Sequence, residues 1–238
     1  MTLSLVAWVA AAAVMLLLAR SGWRVAVAAQ LARAIEPYAQ APADPARRLL
    51  IVGDSTAVGT GASGPAASLA GLIGRAHPRA AIDNRARDGA TWADLIVQLE
   101  GAGTADVVLV MAGGNDVIRL RDWADVRRDI DQVVARARSI APVVWLMPAG
   151  NVGNAPFFWP PLSWWMTQRS RRVHALIEAT ARDPAVVYVD LFEEAEHDPF
   201  VQQPGLHAAD GLHPSDAGYR LWRDQLRRQA DLDARLSP

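Results

Sequence analysis

Leu49-Leu50-Ile51-Val52-Gly53-Asp54-Ser55-Thr56 passes from four aliphatic residues straight into a glycine, an acid and two hydroxyls. Four apolar residues without polar alternation suit a strand buried on both faces, and Gly-Asp-Ser suits the turn that leaves it. The same pattern recurs along the chain. Short apolar runs rich in Val and Ile lie at residues 49–52, 81–84, 107–111, 143–147 and 186–191. Between and after them, residues 66–77, 91–99, 123–139, 164–181 and 215–229 carry helical spacing, with Asp122 and Ser215 as N-caps. Strands alternating with helices predict βαβ units with right-handed crossovers and an open parallel sheet covered on both sides. Ligands of such sheets bind beyond the carboxyl ends of the strands, so residues with chemistry should follow strands.

They do. Ser55 stands at the first strand-to-helix turn with small residues behind it, where it either caps the next helix or exposes its hydroxyl. After the second run, Gly89 permits a close backbone approach and Thr91 can cap a helix. After the third, Ala112-Gly113-Gly114-Asn115-Asp116 can aim the Asn115 amide across the sheet edge, or fold it into an Asx-turn. Beyond the fifth, Asp210-Gly211-Leu212-His213-Pro214 sets a carboxylate three residues before an imidazole on a turn stiffened by proline. Each signal is common alone. Together, each follows its own strand, and they come in one particular order.

The segments around Ser55, Gly89, Asn115 and His213 resemble the sequence blocks of the SGNH hydrolases, or GDSL esterases and lipases, over residues 49–229. The resemblance implies a nucleophile at Ser55, a base at His213 and a supporting acid at Asp210. It also implies an oxyanion hole from the Ser55 and Gly89 N–H groups and the Asn115 side chain. Thr56 stands where the name-giving leucine would be, which bears on subfamily rather than activity. The implied reaction is cleavage of a carboxylic ester or thioester through an acyl-enzyme, on an acyl or lipid-like substrate, without a cofactor. An acyltransferase using the same acyl-enzyme is the first alternative. A nucleotide- or flavin-binding module is the second, although the glycines between Gly53 and Gly64 fit neither GxxxxGK[ST] nor GxGxxG. The expected fold is a doubly wound, flavodoxin-like three-layer α/β/α sandwich with a five-stranded parallel sheet, plus an N-terminal transmembrane helix.

Composition narrows the chemistry further. The 238 residues suit one domain with a short appendage, and 51% hydrophobic residues promise a packed core. A formal net charge of −1 gives no field that would recruit nucleic acid. Absence of cysteine removes disulfides, a thiol nucleophile and thiolate metal sites, and absence of lysine removes Schiff-base chemistry. No His-x-x-x-His or helical carboxylate cluster suggests a metal. His197 and His207 read as polar loop residues, and Arg169, Arg171 and Arg172 as a solvated helix face.

Residues 3–19 are apolar apart from Ser4, and Arg20, Trp8 and Trp23 suit the edges of a bilayer. The chain therefore divides into an anchor at 1–24, a helical linker at 25–47 and a hydrolase domain at 48–238. Arg20, Arg24 and Arg33 after the apolar run favour a cytoplasmic domain, while Ala26-Val27-Ala28 leaves open export with a cleaved signal peptide. Oligomeric state is not readable. Phe157-Phe158-Trp159-Pro160-Pro161-Leu162-Ser163-Trp164-Trp165-Met166 follows the fourth strand and reads either as an acyl-binding wall or lid near the bilayer, or as core.

Overall fold

The computed structural model describes residues 2–237, so Met1 and Pro238 lie outside it; nor does it describe the side chains of residues 2–5, 13 and 14. In chain order the elements are α1 (Thr2–Ala34), β1 (Arg47–Gly53), α2 (Ser55–Val58), α3 (Leu69–Ala76), β2 (Ala80–Asn84) and α4 (Trp92–Leu99). Then come β3 (Val107–Met111), α5 (Gly114–Ile118), α6 (Trp123–Ile140), β4 (Val143–Leu146), α7 (Leu162–Glu178) and β5 (Val186–Tyr188). The chain closes with α8 (Pro199–Gln202), α9 (Asp216–Ala230) and α10 (Leu232–Leu236).

The five strands are all parallel in the order β2-β1-β3-β4-β5. The chain thus winds one way from β1 to β2 and the other way from β3 onward, giving the doubly wound sheet that the sequence predicts. Its switch point lies between β1 and β3, where the polar turns after both strands share one edge. Alternation along each strand feeds two cores. Leu49, Ile51, Leu109, Met111 and Trp145 pack with Leu69 and Ile73 of α3 and Tyr219, Trp222 and Leu226 of α9. Leu50, Val52, Val108, Val110 and Val144 face Leu95 and Leu99 of α4, Ile130 of α6 and Ile177 of α7. Burying each such side chain contributes about 1.5–3 kcal/mol.

Caps set the helix boundaries. Asp122 accepts from Ala124 and Asp125 N–H, and Ser215 from Ala217 and Gly218 N–H, as their positions predict. The helical stretch expected at 66–77 is divided, because Ser68 takes the Gly71 N–H and restarts the helix there. Strand β4 ends one residue early, at Leu146. The Met147 N–H still reaches Val110 O, but Pro148 has no N–H to continue the ladder. Strand β5 is three residues shorter than expected, since Asp190 bends the chain by accepting from Phe192 N–H.

No break separates an anchor from a linker at residue 24; α1 is one helix to Ala34. Its residues 6–12 and 15–23 are exposed, and Val6–Ala34 is long and apolar enough to cross a membrane. From Arg24 onward one face turns toward the domain, with Arg24 and Ile35 buried and Ala28, Leu31 and Ala32 half-buried, a spacing of three to four residues. The segment after α1 is tied down. Gln40 exchanges backbone hydrogen bonds with Ile82 and donates its side-chain amide to the His77 and Ala80 carbonyls, covering the outer edge of β2.

Candidate active site

The turn after β1 is held by its neighbours. Asp54 accepts from the Thr56 N–H at 2.9 Å and the Thr56 hydroxyl at 2.7 Å, and its own N–H donates to Met111 O at 2.9 Å. A Cβ on Gly53 would lie 2.2 Å from that same Met111 oxygen, so only glycine lets β1 turn this close to β3. On the other side, Gln98 of α4 donates to Gly53 O at 2.9 Å and accepts the Gly53 N–H at 2.7 Å. Ser55 therefore opens α2 from a braced backbone, and as the first residue of that helix its N–H has no intrahelical acceptor.

His213 reaches this serine from the far end of the sequence. His213 Nε2 lies 2.9 Å from Ser55 Oγ, and His213 Nδ1 lies 2.5 Å from Asp210 Oδ2. Asp210 is fully buried, and its other oxygen accepts the N–H groups of Leu212 and His213. Burial pushes the Asp210 carboxyl up, but the hydrogen bond and charge of His213 and the two backbone donors outweigh it and hold the group below the usual carboxylate value. Gly61, at φ +95°, brings the loop after α2 against the Pro214 carbonyl and fixes this turn from the other side.

Asn115 and Gly89 meet the same site. Asn115 Nδ2 donates one hydrogen to Ala90 O at 3.1 Å, and Gly89, at φ +75°, lines the pocket above Ser55 together with Asn115. Asp116 orients this loop, accepting the Trp92 N–H at 3.2 Å and pairing with Arg121 at 3.1 Å. Burial pushes both Asp54 and Asp116 up to about 6, against their hydrogen bonds.

The pocket over Ser55 has a volume of about 410 Å³, ordinary for a small-molecule site. All five expected site residues except Asp210 line it, and Asp210 lies behind His213. His207 also lines it, with burial holding the imidazole below its usual value, whereas His197 does not. Among the described residues, no group of three or more His, Cys, Asp or Glu could hold a metal ion.

Some contributors are not visible in the sequence. Gln98 reads as one polar position on a short amphipathic helix; the signal is that it falls on the buried face of α4 beside Leu95 and Leu99. Arg169 is not part of a solvated face. It donates to the carbonyls of Asp116, Val117 and Arg121 and stacks 4.0 Å over Trp123, fastening α7 to the Asn115 loop. Arg171 binds Glu194 instead, at 2.5 Å, and Arg172 is exposed. Arg24 of α1 donates to Pro156 O and lies against Gly211 in the Asp210–His213 turn.

The aromatic segment splits in two. Phe158 and Met166 pack on the core, while Trp159, Leu162, Trp164 and Trp165 are 47%, 43%, 67% and 50% exposed. No residue from 157 to 166 lines the pocket; Val25, Ala28, Ala29 and Ala32 of α1 do. Trp159 instead meets α1 higher up, with the Arg20 guanidinium 5.1 Å from its ring centre.

Known structures share this architecture. A lipase from a goat rumen metagenome matches with TM-score 0.62 at 16% identity, covering 77% of this chain and 97% of its own. A lipolytic protein of the G-D-S-L family from Veillonella parvula gives 0.62 at 17% identity, covering 77% and 98%. A catalytic mutant of an acetylxylan esterase from Geobacillus stearothermophilus gives 0.53 at 23%, covering 78% and 94%. At these identities the likeness is one of fold. No curated protein sequence matches the chain. The sequence model of the GDSL-like lipase/acylhydrolase family matches residues 51–221, from within β1 into α9, and so takes in Ser55, Gly89, Asn115, Asp210 and His213 but not the residues of α1. With well over half of its length matched, this chain belongs to the GDSL-like lipase/acylhydrolase family.

Proposed function

We propose that the protein is a membrane-anchored serine esterase that cleaves acyl esters with Ser55 as nucleophile, His213 as general base and Asp210 as the group that orients His213. The observation that carries this reading is the continuous relay from Asp210 through His213 to Ser55, at 2.5 and 2.9 Å, on the floor of the pocket. Ser55 Oγ attacks the ester carbonyl as His213 Nε2 takes its proton, and Asp210 stabilises the imidazolium through Nδ1. The tetrahedral oxyanion is met by the Ser55 and Gly89 N–H groups and by the Asn115 amide hydrogen that Ala90 does not use. His213 then returns the proton to the leaving alcohol, and water deacylates Ser55 by the same route in reverse.

Asp88, Asp190, Glu193 and Asp198 line the pocket, which favours an ester of an uncharged alcohol over a coenzyme A thioester with its phosphates. The exposed apolar length of α1 supports the anchor, and Trp159, beside Arg20, suits the headgroup layer. Arg20, Arg24 and Arg33 on the domain side favour a cytoplasmic domain. Labelling with a fluorophosphonate probe tests the reading: Ser55 should carry the label, and a labelled Ser55→Ala variant would end it.

A further inference from the structure

Four small or branched residues of α1, Val25, Ala28, Ala29 and Ala32, line the same pocket as Ser55 and His213. They stand outside residues 51–221, so the family's own sequence pattern does not account for them. Three are alanines, between the bulky Trp23 one turn toward the membrane and Ile35, which follows the end of the helix at Ala34. Small side chains at this point leave space between the helix and the domain. Across that space Leu221 and Trp222 of α9, Leu191 and Phe200 add apolar surface to the lining, beside the polar Asp190 and Gln225.

The helix is also anchored where it crosses the site. Arg24 is buried, donates to Pro156 O and rests on Gly211, whose φ of +68° and missing side chain leave room for the guanidinium. Ile35 closes the contact at the other end, within the core under α3 and α9. The alanines between these two fixed points therefore hold a set position over the pocket.

We propose that residues 25–32 of α1 form the acyl-chain subsite of this enzyme, so that the anchor helix itself selects linear medium or long acyl groups over acetyl. The inference rests on the serine-esterase reading and adds the substrate class. A straight chain extending from the Ser55 carbonyl along α1 stays against apolar side chains, and each methylene buried there contributes about 0.8 kcal/mol. Helix residues 28 and 32 lie about 12 and 18 Å beyond Arg20 along the axis.

The test uses the full chain in phosphatidylcholine vesicles. Ala28→Phe and Ala32→Phe fill the subsite, and Ala26→Phe adds the same bulk to an exposed position that does not line the pocket. Relative kcat/KM for decanoyl over acetyl p-nitrophenyl esters should fall by at least about tenfold in the first two, the equivalent of two lost methylene contacts, and stay level in the third. An equal change for both esters, or no change, overturns the proposal. A second measurement does not depend on turnover: Ser55→Ala is irradiated with a decanoyl ester carrying a terminal diazirine, and the crosslinked peptide is mapped. Crosslinks at residues 25–32 that excess decanoyl ester removes support the subsite even if Ser55 is not the nucleophile. Competable crosslinks confined to other segments overturn it, and a parent protein that takes no fluorophosphonate label at Ser55 counts only against the serine reading.

Discussion

Gln98 and Gly53 are joined by two hydrogen bonds, with the side-chain amide of Gln98 standing in for a neighbouring peptide unit against the backbone that carries Ser55. A helix on one face of the sheet therefore sets the height of a turn at its edge. Gln98→Leu keeps roughly the same volume but leaves the Gly53 N–H unpaired, at a cost of about 1–3 kcal/mol. We expect a lower melting temperature and a fall in kcat larger than any rise in KM. Unchanged kcat in a destabilised variant would limit Gln98 to a role in folding.

The relay itself gives a graded series. Ser55→Ala should remove hydrolysis, and Asp210→Asn should lower kcat by about 10⁴-fold because His213 loses the acceptor that fixes its tautomer. Asn115→Ala should lower kcat by about 10²–10³-fold. A change confined to KM would assign Asn115 to binding of the ground state.

Asp54 makes stability depend on pH. Its carboxyl titrates at about 6 in the folded protein, above the ordinary 3.8, because burial penalises the anion more than Thr56 compensates. The stability contributed by the neutral form is full below about 3.8 and is lost as pH rises through about 6. Asp54→Asn cannot ionise, so melting temperatures measured from pH 4 to pH 8 should decline less with pH than in the parent, by the equivalent of about 1–3 kcal/mol. Asp116 shares the window, so part of the slope should remain. An unaltered slope would show that Asp54 stays ionised throughout.

Trp159, Trp164 and Trp165 should lie in the headgroup layer if α1 is anchored as proposed. Brominated lipids in reconstituted vesicles should quench part of the tryptophan emission, and replacing these three with Phe should remove part of that quenching. Quenching that persists in full would place the loop away from the bilayer and leave Trp8 and Trp23 of α1 as its source.

How far the sequence could be read depended on how local each signal was. Five apolar runs and the turns behind them were legible because strand burial and turn chemistry are written in consecutive residues. The turns that bring Ser55, Gly89, Asn115, Asp210 and His213 to one edge of the sheet were legible because each has a recognisable composition. The supports were not. Gln98 meets Gly53 across 45 positions and Arg24 meets Pro156 across 132, and nothing near either residue in the chain records the partner. The aromatic run at 157–166 was dense enough to suggest a pocket wall, yet a row of alanines in α1 holds that place, because a wall that leaves room for a ligand is made of residues too small to draw notice.

The unbroken course of α1 from Thr2 to Ala34 has a geometric consequence. With 3.6 residues per turn, each residue added between Ala19 and Arg24 rotates everything before it by about 100° relative to the face that meets the domain. The apolar segment and the pocket are thus locked in phase as well as in distance. One inserted alanine would swing the apolar segment to a new azimuth and pull Arg20 off Trp159, whereas seven, close to two full turns, would restore the azimuth and raise the segment by about 10 Å. If α1 is anchored in a bilayer as proposed, the height of the site above it can change without loss of this phase only in steps of about whole turns.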